Sequence, residues 1–148
     1  MKKNTILLIA GVVVTLLFII LAIPLFEAMY YEREFSTAMY DENIYMLVSV
    51  VTAIVAWAVA GVFYYVINSV SFSRWYHWLI MLAVAALVTP TINYFYADGV
   101  FVAMDYDFGH QLFSFAVVNM LVEVVLFVVA SFSMRWWSSN CRHTPIPE

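Results

Sequence analysis

Four long apolar runs, separated by short polar stretches, dominate the chain. Thr5 to Phe26 holds 22 residues without a charge, Ile44 to Ile67 holds 24, and Trp78 to Tyr96 holds 19. Leu112 to Met134 holds 23 residues and a single charge, Glu123. A bilayer core is ~30 Å thick and a helix rises ~1.5 Å per residue, so ~20 apolar residues cross it. Backbone groups in lipid must be satisfied within the segment, which favours continuous helices. Barrel strands would alternate over ~10-residue segments, and these runs do not alternate. The pattern predicts an all-α membrane protein, residues 1–148 forming one domain of four transmembrane helices arranged as two antiparallel hairpins.

Composition agrees with the pattern and removes the alternatives. Of 148 residues, 66% are hydrophobic and 11% charged, against ~45–50% and ~25% in a soluble domain. Disorder needs low hydrophobicity and high net charge, and is excluded with it. The polar segments, 17 residues at 27–43, 15 at 97–111 and 14 from Arg135 onward, leave no room for a soluble domain. The last of these, with Ser138, Ser139, Asn140, Pro145 and Pro147, is expected to be a flexible tail. The first run exceeds the ~7–15 residues of a signal-peptide core and ends in bulky Ile23-Pro24-Leu25-Phe26, so it is expected to be a retained anchor helix.

Charge gives the spans a direction. Lys2, Lys3, Arg74, Arg135 and Arg142 fall on one side of a four-span arrangement, and Arg33 alone on the other. The positive-inside rule places both termini and the 68–77 connection in the cytoplasm. Glu27, Glu32, Glu34, Asp41, Glu42, Asp98, Asp105 and Asp107 then make the outer face negative. Trp75, Tyr76, Trp78, Trp136 and Trp137 read as an inner aromatic belt, and Tyr30, Tyr31, Tyr40, Tyr45, Tyr94 and Tyr96 as an outer one. The Met1-Lys2-Lys3 start points, by association, to a bacterial inner membrane. At an offset of 65, Tyr31, Ala38 and Met39 match Tyr96, Ala103 and Met104, and at 66 Pro24 matches Pro90. Shared interfacial composition is the preferred explanation; a parallel duplication is the other.

Glu123 is the residue with the most to say about chemistry. An ionised acid at the middle of a span costs at least ~2.5–3.5 kcal/mol, so such residues face the bundle interior. No Lys or Arg lies in another span, which excludes an internal salt bridge. Asn119 shares its helical face one turn outward. Counted in from the outer ends, Thr89 falls near Asn119, and Thr15 and Trp57 near Glu123. These five residues form the candidate intramembrane polar cluster. Three roles suit it: a hydrogen-bonded lock between helices, a contact with a partner subunit, or a proton or cation site.

The remaining signals are weaker. Pro90 lacks an N–H and crowds the carbonyl of Ala86, predicting a kink in the third span. Ala53, Ala56, Ala58, Ala60 and Gly61 in the second span, and Ala83, Ala85 and Ala86 in the third, allow close helix approach. The apolar 100–104 stretch is expected to lie on the membrane or dock a partner. Asp105, Asp107 and His110 have metal-ligating chemistry but match no complete motif, and a solvated acidic loop is the preferred reading. Cys141 has no disulfide partner, His77, His110 and His143 are scattered, and no hydrolase or phosphate-binding motif appears. No cofactor is expected. Net charge −4 with six dispersed basic residues argues against nucleic-acid binding. By subtraction, the sequence points to a non-enzymatic accessory or scaffold subunit in the lipid bilayer, packing with other membrane subunits or itself through its small-residue helix faces and the intramembrane Glu123. The alternative is a small oligomeric proton- or cation-coupled transporter or channel using Glu123.

Overall fold

The computed structural model describes residues 2–138, so most of the tail, with Cys141 and His143, lies outside the described residues. Among those residues every regular element is a helix. In order they are α1 (Lys3–Ile20), α2 (Ala22–Met29), α3 (Arg33–Asp41), α4 (Ile44–Gly61), α5 (Trp75–Ala103) and α6 (Gly109–Met134). A π-helical turn, Val62–Ile67, extends α4, and 3₁₀ turns occupy Val70–Phe72 and Arg135–Trp137. Four stretches are long and apolar enough to cross a membrane: Lys3–Ile20, Ile44–Ile67, Trp75–Ala103 and Gly109–Trp137.

Helix α6 is the hub of the bundle, packing against α1, α4 and α5, while α4 also touches α1 and α5. Its buried face runs Leu112, Phe115, Asn119, Val122, Glu123, Leu126, Phe127 and Ala130, the three-and-four spacing of a helix stripe. Five of the eight small residues singled out in these spans pack inside the bundle, while Ala58 and Ala83 are exposed and Gly61 is half-buried. Ala56, Ala60 and Ala85 are fully buried, and Ala53 and Ala86 nearly so, which lets the backbones approach. On α1, by contrast, only Gly11 and Thr15 are buried.

Several boundaries differ from the expectation. The first run is not one helix: it breaks at Leu21, between α1 and α2. Pro24 explains the position, because its missing N–H would have bonded the carbonyl of Ile20. Pro90, where a kink is expected, lies within α5, which continues through it to 29 residues. The expected outer loop 27–43 is mostly helical. Phe35, Ser36, Ala38 and Met39 of α3 are buried, and Asn43, at φ 55°, supplies the left-handed residue that turns the chain into α4. Residues 100–103 continue α5, and Phe101 is buried against Phe35 and Phe108 instead of facing the membrane. Pro24 lies in the first turn of a helix after a break whereas Pro90 lies within one, and Tyr31 lies outside any helix whereas Tyr96 is helical. Ala38 and Ala103, by contrast, are both helical.

Two belt residues are also core residues. Trp78 is buried and donates its indole N–H to Ser131 Oγ at 3.2 Å, and Tyr45 is buried among Phe26 and Phe115. At the other end of the sequence, Arg135, expected to open the flexible tail, is buried in the 3₁₀ turn, its guanidinium 3.8 Å from the Trp136 ring.

Candidate functional site

The interior of the bundle is polar at one level. Asn119 on α6 accepts a hydrogen bond from Asn93 Nδ2 on α5 at 2.8 Å. Its own Nδ2 donates to Thr52 Oγ1 on α4 at 2.9 Å. Thr52 in turn donates to the Val48 carbonyl at 2.6 Å. One amide thereby joins three spans in a single relay, and its members are fully or almost fully buried. Both faces of the Asn119 amide are used, so this part of the relay is satisfied.

One turn further along α6 the accounting changes. Glu123 is fully buried, and neither carboxyl oxygen has a hydrogen-bond partner. The Thr89 hydroxyl of α5 lies beside the carboxyl but completes no hydrogen bond of normal geometry with it. Thr89 Oγ1 and Asn93 Oδ1 are likewise buried and unpartnered. Thr89 and Asn93 are four residues apart on α5, as are Asn119 and Glu123 on α6. The two helices therefore oppose two polar rungs: a hydrogen-bonded Asn93–Asn119 rung, which leaves Asn93 Oδ1 without a donor, and a Thr89–Glu123 rung with no assigned hydrogen bond.

Thr15 and Trp57 form a separate unit. Trp57 Nε1 donates to Thr15 Oγ1 at 2.9 Å, and Thr15 donates to the Gly11 carbonyl at 2.8 Å. An indole has one N–H, so Trp57 has none left for Glu123. This pair ties α1 to α4 and lines an outward-facing groove with Val12, Leu16, Ala53 and Ile54. Of the five residues grouped from the sequence, the structure brings together Glu123, Asn119 and Thr89, and places Thr15 and Trp57 at another helix junction.

Sequence reasoning missed Asn93 and Thr52. Asn93 carried a usable signal, because it follows Thr89 by one turn and must share its face. The error lay in the helix ends. With α5 ending at Ala103 and α6 starting at Gly109, Asn93 and Asn119 each lie ten residues inside, and Thr89 and Glu123 each fourteen. Ending the third run at Tyr96, ahead of Asp98, set Thr89 against Asn119 instead. Thr52 carried no signal beyond its depth.

The outer acidic residues do not assemble. Asp105 is at φ 60° in the turn after α5, Asp107 is exposed, and His110 is exposed at the start of α6. Among the described residues, no group of three or more His, Cys, Asp or Glu side chains could hold a metal ion. The outer end is instead held by apolar packing. Phe35 lies 5.5–6.0 Å, centroid to centroid, from the rings of Tyr30, Phe101, Phe108 and Phe115. Gln111 Nε2 donates to Glu32 Oε1 at 3.1 Å, fastening the start of α3 to α6. No family model, curated protein or solved structure matches the chain.

Proposed function

We propose that the chain is a non-enzymatic accessory or scaffold subunit of a bacterial inner-membrane complex, with two antiparallel hairpins and both termini in the cytoplasm. The observation that supports this reading is a closed interior. Thr52, Thr89, Asn119 and Glu123 are fully buried, and α3 packs over the outer end through Phe35 and Met39. Function therefore falls to the outside of the bundle. Glu123 and Ala53, Ala56, Ala60, Ala85 and Ala86 are engaged within the chain, Ala58 and Ala83 are exposed, and α1 and its flank are the larger contact offered to partner subunits. There a groove of about 330 Å³ runs between α1–α2 and α6, lined by Val14, Phe18, Leu25, Met29, Leu121 and Val125 among others. Purification in mild detergent followed by native mass spectrometry tests the reading. A stoichiometric partner subunit or self-oligomer is expected, and a monodisperse lone monomer overturns it.

The unpartnered carboxyl of Glu123 favours a second reading, a small oligomeric transporter or channel coupled to protons or cations. In that case Glu123→Gln abolishes flux in reconstituted vesicles while expression is retained. Unchanged flux removes the idea.

A further inference from the structure

The Thr89–Glu123 rung has an imbalance that the protein's own donors do not correct. Both carboxyl oxygens of Glu123 and Thr89 Oγ1 beside them have no donor assigned, and neither does Asn93 Oδ1, one turn along the same face of α5. A fifth lies close along the chain. Pro90 has no N–H, so the carbonyl of Ala86 loses its helical donor, and both residues are on the buried side of α5. Only the Thr89 hydroxyl carries a hydrogen. Leaving a buried acceptor unsatisfied is destabilising, and more so for a charged one. An ionised carboxylate in hydrocarbon also lacks a counter-charge. No Asp, Glu, Lys, Arg or His occurs in 44–67, nor between His77 and Asp98 on α5, nor elsewhere in α6 beyond His110. The side chains around the rung are Asn93 and Thr89 from α5 and Asn119 from α6, with Thr52 of α4 behind Asn119.

A group of buried hard oxygen acceptors with one negative charge and a single hydroxyl donor is the chemistry that holds a small monovalent cation. We propose that Glu123, Thr89 and Asn93 form a sealed site for one such cation, a proton or a sodium ion, resident between α5 and α6. A proton on the carboxyl supplies the missing O–H and neutralises the charge. A sodium ion does both jobs through direct oxygen ligation, with the Ala86 carbonyl as an added ligand. The site stands independently of the accessory-subunit reading, since a resident cation holds two helices together whether or not a partner binds.

The test is thermal unfolding of the full chain in nanodiscs, in choline chloride and in sodium chloride at equal ionic strength. If sodium is the occupant, the wild type shows a saturable, sodium-specific rise in midpoint. Glu123→Gln abolishes that rise, and Thr89→Val weakens the apparent affinity about tenfold, the scale of one lost bond to a charged partner. If a proton is the occupant, sodium does nothing. Infrared difference spectra of the wild type then show a protonated-carboxyl band that Glu123→Gln removes. Should Glu123→Gln fail to accumulate, the wild-type sodium titration and the Thr89→Val spectrum still decide. A wild type with neither a sodium response nor a protonated-carboxyl band overturns the proposal.

Discussion

Gly11 shows how one residue sets the distance between two spans. A β-carbon built there would fall 1.8 Å from Ser133 Oγ and 2.6 Å from Ser133 Cβ. Ser133 cannot rotate aside freely, because its hydroxyl donates to the Val129 carbonyl at 2.6 Å, and the Cβ clash survives any rotation. Gly11→Ala should therefore push α1 off α6 and destabilise the bundle by about 1–3 kcal/mol, the usual range for overpacking. Ser133→Gly, in the same chain, should recover most of that loss. Unfolding of the two single variants and the double variant in detergent checks this, and an additive pair of effects would rule the contact out as the cause. The same scale shows what sequence alone could tell about the interior. Glu123 was legible because charge is scarce in spans, so its position alone forces it inward. Thr52 was not, since a threonine that bonds its own helix carbonyl is at home on any face.

At the scale of elements, helix existence was legible and helix ends were not. Hydropathy marks where lipid-compatible residues lie, but a helix continues as long as its backbone finds donors and a surface to pack on. Helix α5 passes Asp98 and ends at Ala103 because Ala97 and Phe101 stay buried on its inner side. Helix α3 was hidden in a segment that reads as polar, although Phe35, Ala38 and Met39 are spaced as a helix face. That helix lies beyond the apolar runs, where burial removes surface from water and the hydrophobic effect applies in full. Within the spans it does not, and packing and hydrogen bonds hold the helices. Phe35→Ala should thus cost α3 about 3–5 kcal/mol of docking energy, leaving the spans assembled. Trypsin should then cut at Arg33, the one basic residue of the segment, much faster than in the wild type. Tyr40→Ala, at a position 58% exposed, should not change the rate. Equal cleavage of wild type and Phe35→Ala would show that α3 is held by something other than its aromatic contacts.

For the whole molecule, the ends of the bundle differ in what holds them and in what charge they carry. At one end, Gln111 bonds Glu32 and the Phe35 cluster closes the interior. At the other, the Tyr65 hydroxyl donates to the Met134 carbonyl and Ser138 Oγ to Asn68 Oδ1 at 3.4 Å, joining the chain after α4 to the chain after α6. Lys2, Lys3, Arg74 and Arg135 belong by sequence to this second end, with Arg142 following, while Arg33 alone belongs to the first. The proposed orientation rests on that asymmetry, because cationic flanks are retained on the cytoplasmic side during insertion. A membrane-impermeant maleimide reads it directly. In intact spheroplasts the native Cys141 should stay unlabelled, and in inside-out vesicles it should react. Thr37→Cys in a Cys141→Ser background should do the opposite, since Thr37 is an exposed position on α3. If Cys141 reacted only from outside, the charge argument would fail for this protein. If both sites reacted from the same face, the number of crossings between them would be even. One of the three helices α4, α5 and α6 that separate Thr37 from Cys141 would then lie outside the membrane, despite its length and apolar character.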